Sequence, residues 1–193
     1  KYMDQNNLIN DSNFLNLLKE FNNNYRQGKL DVHEYSEFLL SPLIGKSIEG
    51  LENSIEIFSS DLVQRFTDDL TDDLLQKHKR DTKILTSGSL SFLVNKIAFK
   101  LGIEISFGTD PEYKEGLFTG KIKGNPNFSE EKVRRIKVWM GLEEFNEIFS
   151  YSDSIYDLPL LEFSDFPFVI SPDSKLREIA EERNWPIYDR KGF

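Results

Sequence analysis

The pattern of apolar residues changes at Asp81, and this change is the feature that most limits the fold. Residues 13–80 carry apolar side chains at helical spacing, which predicts a helical bundle. From residue 81 to the end, short apolar runs alternate with helical segments. Strand–helix alternation at this spacing predicts an α/β layer built on a parallel sheet.

The C-terminal part is predicted to contain one hairpin besides its parallel strands and helices. Glu115-Gly116 lies between two short strand-like runs, which is typical of a hairpin turn. In the N-terminal part, Asn22–Asn24 is predicted to interrupt the first helix. The predicted strands are Lys83–Thr86, Ile103–Phe107, Ile148–Tyr151, Phe166–Ile170 and Pro186–Tyr188. The predicted helices are Phe92–Leu101, Ser129–Met140 and Leu176–Arg183.

Charge and cysteine content exclude several classes of protein and site. The 193 residues include 24 Lys and Arg against 33 Asp and Glu, a net charge of −9, which disfavours a binder of nucleic acid or anionic membranes. The absence of cysteine excludes disulfides, thiolate metal sites and cysteine nucleophiles. No run of about 20 apolar residues predicts a membrane span, and no signal-peptide pattern opens the sequence. We therefore expect a cytoplasmic protein, while its oligomeric state stays open.

Polar residues that follow the predicted strands form an ordered set. Thr86-Ser87-Gly88 places a hydroxyl and two backbone N–H groups after the first strand, where they can face an anion. Lys132 stands at a helix start, where its ammonium can neutralise a phosphate. Asp153 and Asp157, four residues apart at a strand end, suit a hard cation such as Mg²⁺.

Each of these residues taken alone has a commoner structural explanation. Thr86 on its own is typical of a loop residue, and Lys132 of a solvated surface charge. Asp153 and Asp157 on their own are typical of helix caps. The order Thr, Lys, Asp-x-x-x-Asp, with each member at a strand or helix end, is what indicates a phosphate and cation site.

This ordered set resembles the motifs of the haloacid dehalogenase (HAD) superfamily, and more narrowly its phosphoserine-phosphatase-like HAD-IB hydrolases. Thr86 falls on the hydroxyl motif and Lys132 on the lysine motif. Tyr151–Leu161 matches the metal motif of that subfamily. Pro172–Arg177 and Asn184–Ile187 match its closing segment. Gly28–Asp31 and Ser41–Leu43 match its cap. The resemblance covers nearly the whole chain.

The resemblance implies a fold and a chemistry. The fold would be a Rossmann-like parallel core of residues 1–12 and 81–193, with an inserted C1-type helical cap of residues 13–80. The activity would be Mg²⁺-dependent hydrolysis of a small phosphorylated metabolite through an aspartyl-phosphate. The implied catalytic residues are Asp4, Thr86 and Lys132. Phosphate would be bound by Thr86, Ser87, Gly88 and Lys132. The metal would be bound by Asp4, Asp153 and Asp157, with Asp157 favoured as a group that orients the site.

The first motif departs from the family pattern DxDx(T/V), whose first Asp is the nucleophile. In one register Tyr2 occupies the nucleophile position, where a neutral, bulky phenol cannot act as a carboxylate does. In the other register Asp4 is the nucleophile and Asn6 replaces the acid. Residues before Lys1 and near Phe21-Asn22 look absent by comparison with the family. The alternative function is therefore a catalytically degenerate HAD-fold protein that binds a ligand or a protein partner. An unrelated α/β interaction module is disfavoured by the length of the match.

Overall fold

The computed structural model describes residues 12–190, which form eight α-helices and seven strands. The helices are α1 (Ser12–Gln27), α2 (Val32–Leu40), α3 (Ile48–Phe66), α4 (Asp69–Lys77), α5 (Ser91–Lys100), α6 (Glu130–Met140), α7 (Leu158–Phe163) and α8 (Ser174–Glu182). The strands are β1 (Ile84–Leu90), β2 (Ile105–Thr109), β3 (Pro111–Lys114), β4 (Leu117–Ile122), β5 (Phe149–Ser152), β6 (Phe166–Ile170) and β7 (Ile187–Tyr188). Two short 3₁₀ turns are Ser41–Leu43 and Ile155–Asp157. None of the described helices has the length and apolarity needed to cross a membrane.

The described chain divides into two compact units. One comprises residues 12–67 and 78–126, and the other comprises residues 68–77 and 127–190. Each unit contains parallel strands joined through a helix, so the predicted α/β class with a parallel sheet is confirmed. The division into a core of residues 1–12 and 81–193 and a cap of residues 13–80 stays a prediction.

Helices in the first unit begin where a polar side chain caps them. The Asp31 carboxylate accepts the Glu34 N–H at 2.9 Å at the start of α2, and the Ser47 hydroxyl oxygen accepts the Gly50 N–H at 3.1 Å at the start of α3. The predicted interruption of the first helix at Asn22–Asn24 is wrong, because α1 continues to Gln27.

Aromatic packing explains why α1 continues past its asparagines. The Phe14 ring stacks on Phe38 of α2 with 4.2 Å between centroids, and Phe21 lies 4.9 Å from the same ring. Asparagine is a poor helix former because its side chain competes for backbone hydrogen bonds. The tertiary contacts of the apolar face outweigh that preference in α1.

Strand β1 pairs in parallel with β2 and extends beyond its predicted end. It continues through the Ser-Gly segment to Leu90, with a register irregularity between Thr86 and Leu90. The Thr109 hydroxyl of β2 donates to the Gly88 carbonyl at 2.9 Å, which holds the irregular segment against its neighbour. Apolar spacing could not show this pairing because the segment contains small polar residues.

The predicted hairpin is confirmed as β3 and β4, which pair antiparallel. Glu115 and Gly116 adopt φ values of 54° and 79°, the left-handed conformations that a tight hairpin turn requires. Backbone bonds attach the hairpin to the segment before α3: the Gly45 N–H donates to the Phe118 carbonyl, and the Phe118 N–H donates to the Lys46 carbonyl, both at 2.9 Å. The buried core of this unit consists of Leu40, Leu43, Leu51, Leu90, Phe118 and Ile122.

The second unit is built on the parallel sheet β5-β6-β7. Tyr151 pairs with Phe168 and Ser152 pairs with Val169, so alternate residues of each strand face opposite sides of the sheet. One side carries stacked rings such as Phe149 on Phe166, with Lys77 of α4 over the Phe149 ring at 5.5 Å. The buried cluster on the other side consists of Leu161, Val169, Leu176 and Ala180.

Candidate functional site

Lys132 lies in the first turn of α6 and is buried, in contrast to the solvated charge that a lone lysine would suggest. Its side chain is 8% exposed. The ammonium donates a hydrogen bond to Oδ1 of Asp157 at 2.5 Å. A buried charge is tolerated when it is paired and hydrogen-bonded, so the Asp157 carboxylate is what allows this lysine to lie inside the unit.

Both carboxylate oxygens of Asp157 are engaged. Oδ1 accepts from Lys132, and Oδ2 accepts from the Ser152 hydroxyl at 2.7 Å. Ser152 is itself buried at the end of β5. The strand end therefore fixes the carboxylate, and the carboxylate fixes the ammonium. This arrangement favours an orienting role for Asp157 over direct ligation of a cation.

Asp153 is the first residue after β5 and is exposed. Its carboxylate makes no hydrogen bond or ion pair with any residue between 12 and 190, which distinguishes it from Asp157. Its position at the carboxyl end of a parallel strand is where α/β proteins place ligand-binding groups. Asp153 is therefore the carboxylate of this loop that is available to a ligand.

Asp173, which caps α8, contacts the Asp153 loop from the other side. Its Oδ1 accepts the Leu176 N–H at 2.9 Å, and its Oδ2 accepts the Ile155 N–H at 2.6 Å. Its own backbone N–H donates to the Asp153 carbonyl at 2.9 Å. Two of these three hydrogen bonds, to Ile155 and to Asp153, thus join the loop after β5 to the start of α8.

An aromatic contact joins the same loop to the segment before α6. The rings of Tyr156 and Phe128 lie 4.7 Å apart at an interplanar angle of 47°. Burial raises the pKa of the Tyr156 phenol, and the negative charge of Asp173 raises it further. Tyr156 therefore stays neutral at physiological pH and packs against Phe128 as an uncharged ring.

The other residues predicted for the site lie in the first unit or outside the described residues. Thr86, Ser87 and Gly88 all lie within β1, and the Ser89 N–H donates to the Ser87 hydroxyl oxygen at 3.2 Å. The first motif, with Asp4 and the alternative position Tyr2, lies outside residues 12–190. That Thr86, Lys132 and Asp4 act on one phosphate stays a prediction.

The loop after β5 offers part of the set of oxygen ligands that a magnesium ion would need. Within residues 12–190, no cluster of three or more His, Asp or Glu side chains converges on one point. Mg²⁺ is commonly bound through one or two carboxylates, substrate phosphate oxygens and water. A single free carboxylate at Asp153 is compatible with that pattern.

Sequence reasoning missed two residues of this site, Ser152 and Asp173. Ser152 directly precedes Asp153 and lies five residues before Asp157. The pattern of apolar residues does not indicate a contact between Ser152 and Asp157. Asp173 could have been found as a helix cap, because Asp followed by Ser and then an apolar run is a helix-start pattern. Its second contact, with Ile155, depends on the fold.

Comparison with known proteins places this geometry in a family. The family model for haloacid dehalogenase-like hydrolases matches residues 12–162. The chain belongs to this family. The resemblance seen in the sequence motifs is therefore confirmed, and the strand-end loop with Lys132 is part of a HAD-like hydrolase.

Curated HAD-like relatives carry phosphatase names. The chain is 29% identical to a histidinol-phosphatase of Neisseria meningitidis serogroup C (strain 8013) over 181 residues, 90% of this chain and 82% of that protein. It is 36% identical to a phosphoserine phosphatase of Mycobacterium tuberculosis (strain ATCC 25618 / H37Rv) over 100 residues. That match covers 50% of this chain and 32% of the mycobacterial protein.

Solved structures agree on the fold of this HAD-like chain. A protein of unknown function from Bordetella pertussis Tohama I has a TM-score of 0.86 and 32% identity, covering 97% of this chain and 88% of that one. A substrate-bound phosphoserine phosphatase has a TM-score of 0.61 and 20% identity, covering 90% of this chain and 79% of that one. The second likeness shows the shared fold alone.

Proposed function

We propose that this HAD-like hydrolase is a Mg²⁺-dependent phosphomonoesterase that acts on a small phosphorylated metabolite. The observation that carries the proposal is the buried ammonium of Lys132, held by Asp157 beside the strand end that presents Asp153. The phosphatase names of the relatives, histidinol-phosphatase and phosphoserine phosphatase, support the same reaction class. These names also supply the first substrates to test.

In this proposal, the phosphoryl oxygens are bound by positively charged and N–H groups. The Lys132 ammonium has three N–H donors, and its one hydrogen-bond partner among residues 12–190 is Asp157, so we propose that the remaining donors bind phosphate. The Thr86 hydroxyl and the backbone N–H groups of Ser87 and Gly88 are proposed as further phosphate donors. Groups of this kind stabilise the charge that spreads over the equatorial oxygens during phosphoryl transfer.

Asp153 is proposed to hold the magnesium ion together with the first motif. When bound, the ion supplies a positive charge that neutralises phosphate oxygens. Asp157 is proposed to act through Lys132, because both of its oxygens are already engaged by Lys132 and Ser152.

The proposed reaction has two displacement steps at phosphorus. A carboxylate of the first motif attacks phosphorus, the bond to the leaving alcohol oxygen breaks, and that oxygen takes up a proton. Water then attacks the aspartyl-phosphate, which releases inorganic phosphate and restores the carboxylate. Asp4 is the nucleophile in one register of the first motif. In the other register Tyr2 occupies its place, and the site would bind a ligand without turnover.

The test is hydrolysis of p-nitrophenyl phosphate, histidinol phosphate and phosphoserine by the full natural chain, with and without Mg²⁺. We expect Mg²⁺-dependent release of phosphate that Asp4→Asn and Asp153→Asn both abolish. Asp72→Asn is the matched control, because Asp72 is an exposed carboxylate of α4 and should not affect turnover.

Two results would contradict the proposal in different ways. Activity that survives Asp153→Asn would exclude the proposed metal role of this carboxylate. No activity toward any of the three substrates, with weak Mg²⁺ binding, would favour the catalytically degenerate alternative with Tyr2 at the nucleophile position.

A further inference from the structure

Asp173 joins two separate segments of the second unit through one side chain. Its two carboxylate oxygens accept N–H groups from different segments, Ile155 in the loop after β5 and Leu176 in the first turn of α8. Helix capping requires only the bond to Leu176. The bond to Ile155, at 2.6 Å, is additional and is directed at the loop that carries Asp153.

The two bonds that Asp173 makes with the loop hold the two peptide groups that follow Asp153. The backbone N–H of Asp173 donates to the Asp153 carbonyl. The side-chain carboxylate of Asp173 accepts the N–H of Ile155, two residues after Asp153. Because pairing of β5 with β6 holds the chain up to Ser152, fixing the peptide groups after Asp153 restricts the rotation that would turn its side chain. The Asp153 carboxylate itself has no partner among residues 12–190, so its direction depends on this backbone.

We infer that Asp173 is a positioning residue that holds the Asp153 carboxylate in place for a divalent cation. The inference rests on the proposed function, since it concerns the cation that Asp153 is proposed to bind. Groups that orient a metal ligand contribute to affinity without touching the metal, and their loss typically weakens binding about 10–100-fold. Asp173 acts in this way through peptide groups, whereas Asp157 acts on Lys132.

The substitution Asp173→Ser separates the two roles of this side chain. Serine is about as good a helix cap as aspartate, so the bond to Leu176 and the start of α8 are kept. The backbone bond to Asp153 is also kept, because it does not involve the side chain. The shorter serine hydroxyl cannot bond Leu176 and Ile155 at once, so the variant loses the contact with the loop.

Asp31→Ser is the matched control. Asp31 caps α2 through the same kind of bond, a carboxylate oxygen that accepts the N–H three residues on, at 2.9 Å. It belongs to the first unit and has no part in the proposed site. Any effect of replacing a capping aspartate by serine will therefore appear in this variant too.

The measurement is Mn²⁺ binding followed by electron paramagnetic resonance, with Mn²⁺ as a spectroscopic substitute for Mg²⁺, together with the Mg²⁺ concentration that gives half-maximal hydrolysis of p-nitrophenyl phosphate. We expect Asp173→Ser to raise both the Mn²⁺ dissociation constant and the half-maximal Mg²⁺ concentration about tenfold or more. Excess Mg²⁺ should restore most of kcat, which a collapsed site would not allow. Asp31→Ser should match the wild type in both.

Salt separates a positional effect from the loss of one negative charge. Electrostatic attraction between exposed groups fades as the Debye length falls to about 3 Å at 1 M salt. We expect the tenfold difference to persist at high salt, and a difference that disappears there would overturn the inference. Equal Mn²⁺ affinity of Asp173→Ser and wild type would overturn it as well. A wild type that binds no Mn²⁺ would overturn the proposed metal site itself, which is a separate result visible before any variant is made.

Discussion

The ion pair between Lys132 and Asp157 should contribute more to stability than an exposed pair does. The two side chains are 8% and 14% exposed, and the Nζ–Oδ1 distance is 2.5 Å. Removing one partner of a buried pair leaves a desolvated charge and costs about 3–5 kcal/mol. We therefore expect Asp157→Ala to lower the free energy of unfolding by about 3–5 kcal/mol.

The assay is urea denaturation followed by circular dichroism. With a denaturant slope of about 2–3 kcal/mol/M, the expected loss lowers the unfolding midpoint by about 1–2.5 M. The double variant Lys132→Met, Asp157→Ala removes the orphaned ammonium and should recover a large part of the loss, since apolar replacement of a buried pair is often neutral. Comparing the two single variants with the double variant in a double-mutant cycle separates the energy of the Lys132–Asp157 pair from that of the contact between Asp157 and Ser152.

Glu162→Ala provides the matched control. Glu162 pairs with Arg183 at 2.6 Å in the same unit, but the two side chains are 46% and 40% exposed. Exposed pairs contribute about 0–1 kcal/mol. The reasoning is refuted if Asp157→Ala costs no more than Glu162→Ala, or if the double variant is as unstable as Asp157→Ala alone.

Two further predictions concern acid stability and backbone packing. The hydrogen bond from the Thr71 hydroxyl to Asp68 lowers the pKa of that carboxyl, so its stabilising effect is present at neutral pH and is lost as pH falls through the folded-state pKa. Asp68→Asn should therefore unfold at a lower urea midpoint than wild type at pH 7, and the difference should shrink below pH about 4, the ordinary aspartate value. Gly108→Ala should destabilise by about 1–3 kcal/mol or more, because the new Cβ would lie 2.5 Å from the Ser91 Cα. Gly50→Ala, where the nearest atom is a side-chain oxygen at 3.4 Å, should be neutral or stabilising in the same thermal unfolding measurement.

The secondary structure was predictable where apolar periodicity and turn chemistry agree. The hairpin at Glu115-Gly116 and the helix from Ser129 to Met140 both appear close to their expected bounds. The continuation of α1 through Asn22–Asn24 was not predictable from local preference, because it depends on contacts of Phe14 and Phe21 with Phe38 of another helix. Intrinsic propensity is a weak guide wherever tertiary packing is strong.

The site was predictable in its chemical groups and less so in its partners. The sequence pointed to one cation site for Asp153 and Asp157, with Asp157 favoured as the orienting group, and the structure gives the two carboxylates different surroundings. Asp157 is enclosed by Lys132 and Ser152, whereas Asp153 is exposed. The difference arises because Ser152 is buried at the end of β5 and lies within hydrogen-bonding distance of Asp157, a contact that depends on the path of the chain between them.

The charges around this loop support the cation dependence of the proposed phosphate site. Lys132 and Asp157 neutralise each other as a pair, whereas Asp153 and Asp173 each add a negative charge. A phosphate monoester carries close to two negative charges at neutral pH. In the proposed site, we therefore expect these four side chains to repel such a ligand until a divalent ion binds beside Asp153. The ammonium of Lys132, held in place by Asp157, can then direct its remaining donors at the phosphate without having to attract it alone.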